Sequence, residues 1–259
     1  MTDLDTRFGG IARLFGSSGA DRLRRAHVCV IGIGGVGSWS VEALVRSGIG
    51  ELTIVDLDDI CVSNVNRQIH ALDGTIGKTK IEVMAARAQA INPSARVHAR
   101  HEFFTESTAR AILEPRYDFV LDAIDSPAKK CLLIAGCRER GLPVFVVGAA
   151  GGRKDPLALK TADLAHSTHD RLLQAVRSTL RKEHGFPAGE KKRFGVDCVF
   201  SPEPVSYPQS DGTVCGTREE GTNLRLDCES GYGTAAFVTG AFGLAAAGHI
   251  VRKIAGREG

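Results

Sequence analysis

The feature that most constrains the fold is a glycine-rich turn directly after a short apolar run. The run covers residues 27–31, and the turn after it reads G-x-G-x-x-G, with glycines at Gly32, Gly34, Gly35 and Gly37. In such a turn the first glycine permits a tight bend, the second lets a phosphate approach the backbone, and the last lets the next helix pack closely on the strand. The pattern predicts a strand–turn–helix unit whose helix N-terminus faces an anion.

An acidic residue at the end of the next apolar run indicates which anion is bound. Asp56 closes the run 51–56 and lies nineteen residues beyond Gly37. A carboxylate at this spacing can accept hydrogen bonds from ribose hydroxyls. Glycines alone also serve structural turns, so the prediction rests on strand, spacing and acid together. They predict a nucleotide site.

Strand-like runs alternate with helical patterns over the first 148 residues. Predicted strands cover 27–32, 51–56, 95–100, 117–123 and 143–148, and predicted helices cover 35–47, 77–92, 105–113 and 127–140. The last of these helices has a capping serine, Ser126, and a stop at Gly141. Such alternation predicts an α/β, Rossmann-like, doubly wound fold with a mostly parallel sheet and helices on both faces. The glycine turn, Asp56 and residues 122–125 are expected to converge at the carboxyl ends of the strands.

The alternation fails after Ala150. Residues 157–161 resemble a short strand, 170–184 a cationic amphipathic helix and 196–200 a buried strand, with irregular stretches between them. The 259 residues, 43% of them hydrophobic, are enough for one large α/β domain. We predict a single domain over residues 1–259, with residues 151–232 as a C-terminal elaboration that contacts the substrate.

Net charge and cysteine content bear on the binding partners and the cellular compartment of the protein. A formal net charge of +3 does not by itself indicate nucleic-acid binding. Seven cysteines occur without C-x-x-C spacing, and the first residues lack the pattern of a secretory signal. We expect a cytoplasmic protein with free thiols and no structural zinc.

Residues 233–251 form an apolar stretch whose only titratable residue is His249. Its length would just span a bilayer. Because Ala and Gly dominate it, its hydrophobicity is modest. We therefore favour a core or dimer-interface helix over a segment that contacts a membrane.

Polar and basic residues after Asp56 indicate more than dinucleotide binding. They are Asp58, Asn64, Asn66, Arg67, Gln68 and Lys80. Attack at the α-phosphate of ATP needs cations on the triphosphate and usually a carboxylate that holds Mg²⁺. Arg67, Lys80 and Asp125 have this chemistry. The alternative is that Arg67 pairs with Asp58 or Asp59 on the surface and that Lys80 is a solvated helix charge.

This set of residues resembles the adenylation domain shared by ubiquitin-activating enzymes and the bacterial activators of molybdopterin and thiamin sulfur carriers. The resemblance spans residues 7–148. It implies that Mg-ATP is bound by the glycine turn, a ribose-binding aspartate, an Asn-x-x-Arg segment, a lysine and an aspartate near the metal. By position these residues are Asp56, Asn64, Asn66, Arg67, Lys80 and Asp125. The implied reaction is attack of a carboxylate on the α-phosphate, which gives an acyl-adenylate and pyrophosphate.

Two features distinguish this chain from that wider family. It has neither the paired C-x-x-C motifs of the sulfur-carrier activators nor the cysteine domain of the ubiquitin activators. In the family an N-terminal arginine enters the partner subunit's site, which implies a homodimer. Arg7 and Arg13 are both candidates for that arginine.

A narrower resemblance covers the second half of the chain as well. Segments 7–10, 67–72, 195–201, 207–215 and 227–231 are similar to those of the tRNA threonylcarbamoyladenosine dehydratases. The resemblance implies ATP-dependent cyclisation of the threonylcarbamoyl group on the adenosine beside the anticodon. Activation of a ubiquitin-like sulfur carrier and nicotinamide-dependent oxidation are the alternatives, and Arg67 and Lys80 disfavour the latter.

Basic residues after position 170 are candidates for binding tRNA. They are Arg171, Arg177, Arg181, Lys182, Lys191, Lys192 and Arg193. Charge runs are usually solvated surface, but the family resemblance favours contacts with phosphates.

The cysteines divide by their surroundings. Cys198 lies in an apolar run and is expected to be buried. Cys228 precedes the final helix, where a helix N-terminus lowers a thiol pKa. It is a candidate for a direct role or for contact with a sulfur-relay protein of a cysteine desulfurase system.

Overall fold

The protein is built around one seven-stranded sheet with helices on both faces. The structure, a computed structural model, describes residues 3–189, 191–218 and 232–256. The strands are β1 (His27–Ile31), β2 (Glu51–Val55), β3 (Arg96–Arg100), β4 (Phe119–Asp122), β5 (Val144–Val147), β6 (Lys160–Asp163), β7 (Asp197–Phe200), β8 (Tyr207–Pro208) and β9 (Val214–Cys215). The helices are α1 (Asp3–Arg25), α2 (Gly37–Arg46), α3 (Lys80–Ile91), α4 (Glu106–Ile112), α5 (Pro127–Arg140), α6 (Arg171–Glu183) and α7 (Ala236–Ala255).

The strand order is β3-β2-β1-β4-β5-β7-β6, and β8 pairs with β9 separately. All neighbours in the large sheet are parallel except β6, which runs antiparallel to β7 at the edge. The order reverses between β1 and β4, and in doubly wound sheets such a switch point opens a crevice at the carboxyl ends of the strands. The predicted α/β, Rossmann-like fold is confirmed.

The two faces of the sheet have separate cores. Alternate strand residues such as Val30 and Ile54 pack on one face in a cluster that also contains residues of α2, α3 and α7. Ile31 and Val55 point to the other face with residues of α4 and α5, and Cys198 packs there with α6. The second half of the chain therefore extends the sheet that the first half begins.

One predicted strand is displaced along the chain. The strand expected at residues 157–161 forms instead at β6, and Leu157 is 89% exposed. The Asp155 carboxylate accepts a hydrogen bond from the Leu157 backbone N–H at 2.8 Å. This local turn competes with extension of the strand and delays its start.

Helix α7 packs in the core, as we expected for the apolar stretch 233–251. Gly243 lies so close to α2 that a Cβ there would be 2.6 Å from the carbonyl oxygen of Val36. The Ser40 hydroxyl donates to the Gly243 carbonyl oxygen at 3.1 Å. Small residues thus let the backbones of α2 and α7 approach closely. Within the described ranges, no helix combines the length and apolarity needed to cross a membrane.

Candidate functional site

The glycine turn has a different constraint at each position. Gly32 has φ 90°, and a Cβ there would lie 2.8 Å from the carbonyl oxygen of Ala123 after β4. A Cβ at Gly37 would lie 1.8 Å from the Gly32 carbonyl oxygen. At Gly34 the nearest atom would be the Gln68 Nε2, at 4.0 Å. Gly32 and Gly37 are therefore required by packing, whereas the surface above Gly34 is open to a ligand.

Asp56 joins the glycine turn to the end of β2. Its Oδ2 accepts from the Ile33 backbone N–H at 2.6 Å, and its Oδ1 accepts from the Asp58 N–H at 2.8 Å. Burial raises the pKa of Asp56, and the charge of Lys80 opposes that rise. The carboxylate is thus held at the rim of the turn, where each oxygen retains a further lone pair for a ribose hydroxyl.

Lys80 is a buried cation, and its interpretation as a solvated helix charge is wrong. Its Nζ donates to the Asp58 Oδ2 at 2.6 Å, and its side chain is 7% exposed. It opens α3, where the helix dipole disfavours a positive charge. The Asp58 carboxylate compensates for that disadvantage and fixes the ammonium group beside Asp56.

Arg67 makes no ion pair with Asp58 or Asp59 in the part of the chain that the structure describes. Its Nη1 donates to the Ser63 carbonyl oxygen at 2.5 Å and to the Asn66 Oδ1 at 3.0 Å. Both acceptors are neutral, so no carboxylate among the described residues compensates the guanidinium charge. The surface-pair interpretation of Arg67 is therefore wrong as well.

The amide side chains of this segment have separate roles. The Asn64 Oδ1 accepts from the Cys61 N–H at 3.1 Å and shapes the local turn. The Asn66 Nδ2 donates to the Thr234 carbonyl oxygen at 3.0 Å. Gln68 is buried, and its Oε1 has no hydrogen-bond partner among the described residues. Because Gln68 faces Gly34, its amide lies where a bound nucleotide would pass.

Two residues that the sequence does not single out hold this segment in place. The Trp39 Nε1 on α2 and the Thr239 hydroxyl on α7 each donate to the Arg67 carbonyl oxygen, both at 3.0 Å. The one sequence signal that could have pointed to Trp39 is that it is the sole tryptophan of the chain. Helices from opposite ends of the sequence thus position Arg67.

The buried side chain of His70 contacts the backbone of the glycine turn. Its Nε2 lies 2.9 Å from the Ile33 carbonyl oxygen, and burial lowers its pKa to about 4. The imidazole is therefore neutral at physiological pH, and Nε2 donates to the carbonyl. His70 therefore has a structural role in the turn.

A buried ion pair at the end of β4 was not predicted. Lys130 and Asp122 are both fully buried, with Nζ 3.0 Å from Oδ1, and Nζ also donates to the Asp122 carbonyl oxygen at 3.3 Å. Burial raises the pKa of Asp122, and the charge of Lys130 opposes that rise. The pair fixes the turn that leads to Asp125 and places Ala123 against Gly32.

Asp125 is exposed three residues after the strand ends. Mg²⁺ in phosphate-transferring sites commonly takes one or two carboxylates together with phosphate oxygens of the substrate. A single exposed carboxylate at the strand ends fits that donor set. Asp125 would hold Mg²⁺ together with the triphosphate.

The Arg7 side chain is bound away from the crevice of its own chain. The Arg7 Nε contacts the Asp3 carboxylate at 2.6 Å, and its Nη1 donates to the Ile91 carbonyl oxygen at 3.4 Å. Ile91 ends α3, about 16 Å along the helix from Lys80, which begins it. Arg13 is exposed on the same helix as Arg7.

The predicted tRNA-contacting residues separate into distinct environments. Arg193 is paired with Asp163 at 3.5 Å, and the guanidinium of Arg171 lies over the Tyr207 ring at 5.8 Å. Lys191 and Lys192 are exposed. The others lie together on α6: Arg177, Arg181 and Lys182.

Cys198 is buried in β7, and burial raises the pKa of its thiol to about 12, as its packing role predicts. Cys228 lies outside the described residues.

Comparison with known proteins extends over the whole chain. The family model of the ThiF family matches residues 10–259. A tRNA threonylcarbamoyladenosine dehydratase of Escherichia coli K12 is 46% identical over 98% of this chain and 96% of its own length. Another, from Bacillus subtilis 168, is 36% identical over 92% of this chain and 91% of its own.

A solved structure agrees with this relationship. The E. coli tRNA N6-threonylcarbamoyladenosine dehydratase, TcdA, in complex with ATP superposes with a TM-score of 0.88 and 41% identity, covering 100% of this chain and 99% of that one. These matches include residues 151–259, which the sulfur-carrier activators leave unexplained, so that alternative is not favoured. The chain belongs to the ThiF family and, within it, to the tRNA threonylcarbamoyladenosine dehydratases.

Proposed function

We propose that the protein catalyses the ATP-dependent dehydration of the threonylcarbamoyl group on the adenosine beside the tRNA anticodon. The observation that carries this proposal is the buried Lys80 ammonium, paired with the half-exposed Asp58 carboxylate beside Asp56 at the rim of the glycine turn. A nicotinamide site has no need of a buried cation there, whereas transfer at an α-phosphate does. The dehydratase names of the whole-length relatives supply the substrate.

The reaction has two steps. A carboxyl oxygen of the threonine attacks the α-phosphorus of ATP, and pyrophosphate leaves. The carbamoyl nitrogen then attacks the acyl carbon, loses a proton and displaces AMP, which closes a five-membered hydantoin ring. The lost carboxyl oxygen leaves on AMP, so the modified nucleoside becomes lighter by one water.

The residues of the crevice divide this work. Asp56 accepts hydrogen bonds from the ribose, and the N–H groups around Gly34 receive a phosphate. Arg67 and Lys80 stabilise charge that develops on the phosphates. Asp125 would hold Mg²⁺, which when bound would neutralise part of the charge of the triphosphate.

No acceptor cysteine is required for ring closure. The attacking nitrogen belongs to the same side chain as the activated carboxyl group, so its effective concentration is high without a covalent enzyme intermediate. This explains why the chain functions without a separate cysteine domain.

We infer further that the active form is a homodimer in which Arg7 or Arg13 reaches the partner's crevice. The contacts of Arg7 on α1 with Asp3 and Ile91, away from its own crevice, support this. Contact with a cysteine desulfurase relay through Cys228 belongs to the same proposal.

The test is mass spectrometry of anticodon-loop nucleosides after incubation of the protein with ATP and threonylcarbamoylated tRNA. The expected result is a loss of one water from the modified adenosine, with stoichiometric AMP and pyrophosphate. Unmodified tRNA is the control and should release no AMP. Release of ADP, or pyrophosphate exchange that responds only to a Gly-Gly-ending carrier protein, would contradict the proposal.

A further inference from the structure

A cavity of about 460 Å³ opens along one face of α6, outside the nucleotide crevice. Its lining residues are Gln174, Arg177, Ser178, Arg181 and Lys182. They are three or four positions apart and thus share one helix face, while Leu173, Val176 and Leu180 face the core. The lining contains three cations and no carboxylate.

Two of these cations lie close together without an anionic partner. Arg177 and Arg181 are four residues apart, a spacing at which like charges destabilise a helix. In the described ranges neither forms an ion pair with a carboxylate, although Arg193 nearby is paired with Asp163. Burial and the charge of Arg181 lower the pKa of Arg177. The face therefore carries positive charge that the folded chain leaves unbalanced.

The nearby carboxylate of Asp170 does not balance it. Asp170 caps α6, with Oδ1 accepting from the Leu173 N–H at 2.9 Å and Oδ2 accepting from the Ala149 N–H at 2.8 Å. Both of its oxygens are thus directed to backbone donors at the start of the helix. Its effect on the pKa of Arg177 is smaller than those of burial and Arg181.

Both guanidinium groups are held in position. The Arg177 Nη1 donates to the hydroxyl of the buried Ser167 at 2.5 Å. The Arg181 guanidinium lies 5.1 Å from the centroid of the Phe194 ring, which in turn packs on Phe186 at 5.0 Å. The Arg181 Nε is buried and has no hydrogen-bond partner among the described residues. The two guanidinium groups that line the pocket are thus held in fixed positions.

We propose that this pocket, formed by Arg177, Arg181 and Lys182, binds a backbone phosphate of the tRNA outside the reacting nucleotide. Planar guanidinium groups suit the several acceptor oxygens of a phosphate. The inference rests on the proposed function, because it assigns part of the same substrate to a second site.

The position of α6 favours RNA over a free phosphate ion. Through Asp170 the helix begins beside Ala149, at the carboxyl end of β5. Arg177 lies about 10 Å further along the helix axis. A strand of RNA whose modified adenosine occupies the crevice would reach this pocket within a few nucleotides.

The first test places a carboxylate on the pocket wall. Ser178 is exposed, so Ser178→Asp neutralises positive charge without removing a core contact. Ser178→Asn is the matched control, with the same size and no charge. We expect Ser178→Asp to weaken tRNA binding about tenfold and to reduce the salt slope by about 1, because one phosphate contact is lost. Ser178→Asn should stay within about twofold of the wild type, and ATP affinity should be unchanged in both.

The second test compares two arginines. Arg181→Gln removes an uncompensated cation, whereas Arg193→Gln removes one already paired with Asp163. We expect only Arg181→Gln to raise the dissociation constant for tRNA substantially. Wild-type affinity in both Arg181→Gln and Ser178→Asp, or an equal loss in Arg193→Gln, would overturn the proposal.

Two further outcomes separate the sources of failure. If inorganic phosphate at constant ionic strength binds at Arg181 but displaces no tRNA, the pocket is a site for free phosphate. The proposal is then wrong. If the wild type converts modified tRNA while both pocket variants bind it normally, only the phosphate site fails. If the wild type neither binds nor converts tRNA, the proposed function fails with it.

Discussion

The buried lysines at the nucleotide crevice and the half-buried arginines of α6 differ in how their charges are balanced. In the crevice Lys80 pairs with Asp58, and Lys130 pairs with Asp122 under full burial. On α6, Arg177 and Arg181 have no carboxylate partner in the described chain. Buried charges must be balanced within the protein because desolvation is expensive. Cations that keep contact with solvent can remain unpaired until a polyanion binds, which releases counterions. The buried lysines at the crevice are thus balanced within the described chain, whereas we propose that a ligand balances the basic face of α6.

The largest effect is expected from a change that disturbs the backbone of the crevice. Gly37→Ala would place a Cβ 1.8 Å from the Gly32 carbonyl oxygen. We expect it to destabilise the fold by more than about 4 kcal/mol or to prevent folding, as measured by urea unfolding. Gly34→Ala is the matched control, because the space there is open. It should fold normally and lose ATP affinity, and an equal loss of stability in both variants would contradict the assigned roles.

The buried pair at β4 should show the next largest effect. Lys130→Met leaves the Asp122 carboxylate unpaired in the core, which is expected to cost about 3–5 kcal/mol of unfolding free energy. The double variant Asp122→Asn with Lys130→Met should recover part of that loss, since no charge remains buried. Urea unfolding of the four proteins in a double-mutant cycle measures the coupling. Additive losses would show that the pair does not act as a unit.

Loss of the crevice cation should affect catalysis more than folding. Lys80→Gln removes the charge beside Asp56 but retains a polar group at the start of α3. We expect kcat/KM for tRNA-dependent AMP release to fall about 100-fold, as for removal of one preorganised donor. Glu82→Gln, an exposed change on the same helix turn, is the control and should leave the rate unaltered. A Lys80→Gln enzyme of wild-type rate would place the phosphate-stabilising charge elsewhere.

A smaller effect concerns the pH dependence of stability. The pKa of His70 is about 4 in the folded protein and about 6.5 in the unfolded chain. Between these values the unfolded state binds more protons, so stability falls as the pH is lowered from 6.5 towards 4. Each unit of that difference corresponds to about 1.4 kcal/mol. His70→Gln keeps a donor for the Ile33 carbonyl and should flatten this part of the profile, measured by urea unfolding across pH. An identical pH slope in the variant would mean that another group titrates.

The success of prediction differs between local and distant relationships. Gly32, Gly37 and Asp56 were predicted because each is needed within one strand–turn–helix unit, where spacing along the chain dictates geometry. The helix α5 begins after Ser126 and ends at Gly141, which has φ 64°, as expected, but the Ser126 side chain makes no capping hydrogen bond. The strand at β6 was misplaced because a single side chain, that of Asp155, forms a competing turn.

Prediction failed where partners lie far apart in the chain. Trp39 and Thr239 meet at one carbonyl oxygen although 200 residues separate them in the sequence. Helix α1 was not predicted either, since its glycines have low helix propensity. It still forms, with a break at Gly16 (φ 74°), and Gly19 packs against Ala255 of α7. Packing between elements overrides local propensity in such cases.

The amino-acid order was sufficient to establish the sheet type, the nucleotide turn and the set of charges near it, because glycine conformation, side-chain periodicity and residue chemistry act over a few positions. Which charges are neutralised and which stay available was settled by folding alone. Lys80 and Lys130 are both ordinary helix lysines in the sequence, and Arg181 and Arg193 are equally basic. Only the assembled sheet brings Asp58, Asp122 and Asp163 to three of them and leaves Arg181 with no carboxylate partner in the described ranges. Electrostatic pairing depends on distance and burial in space.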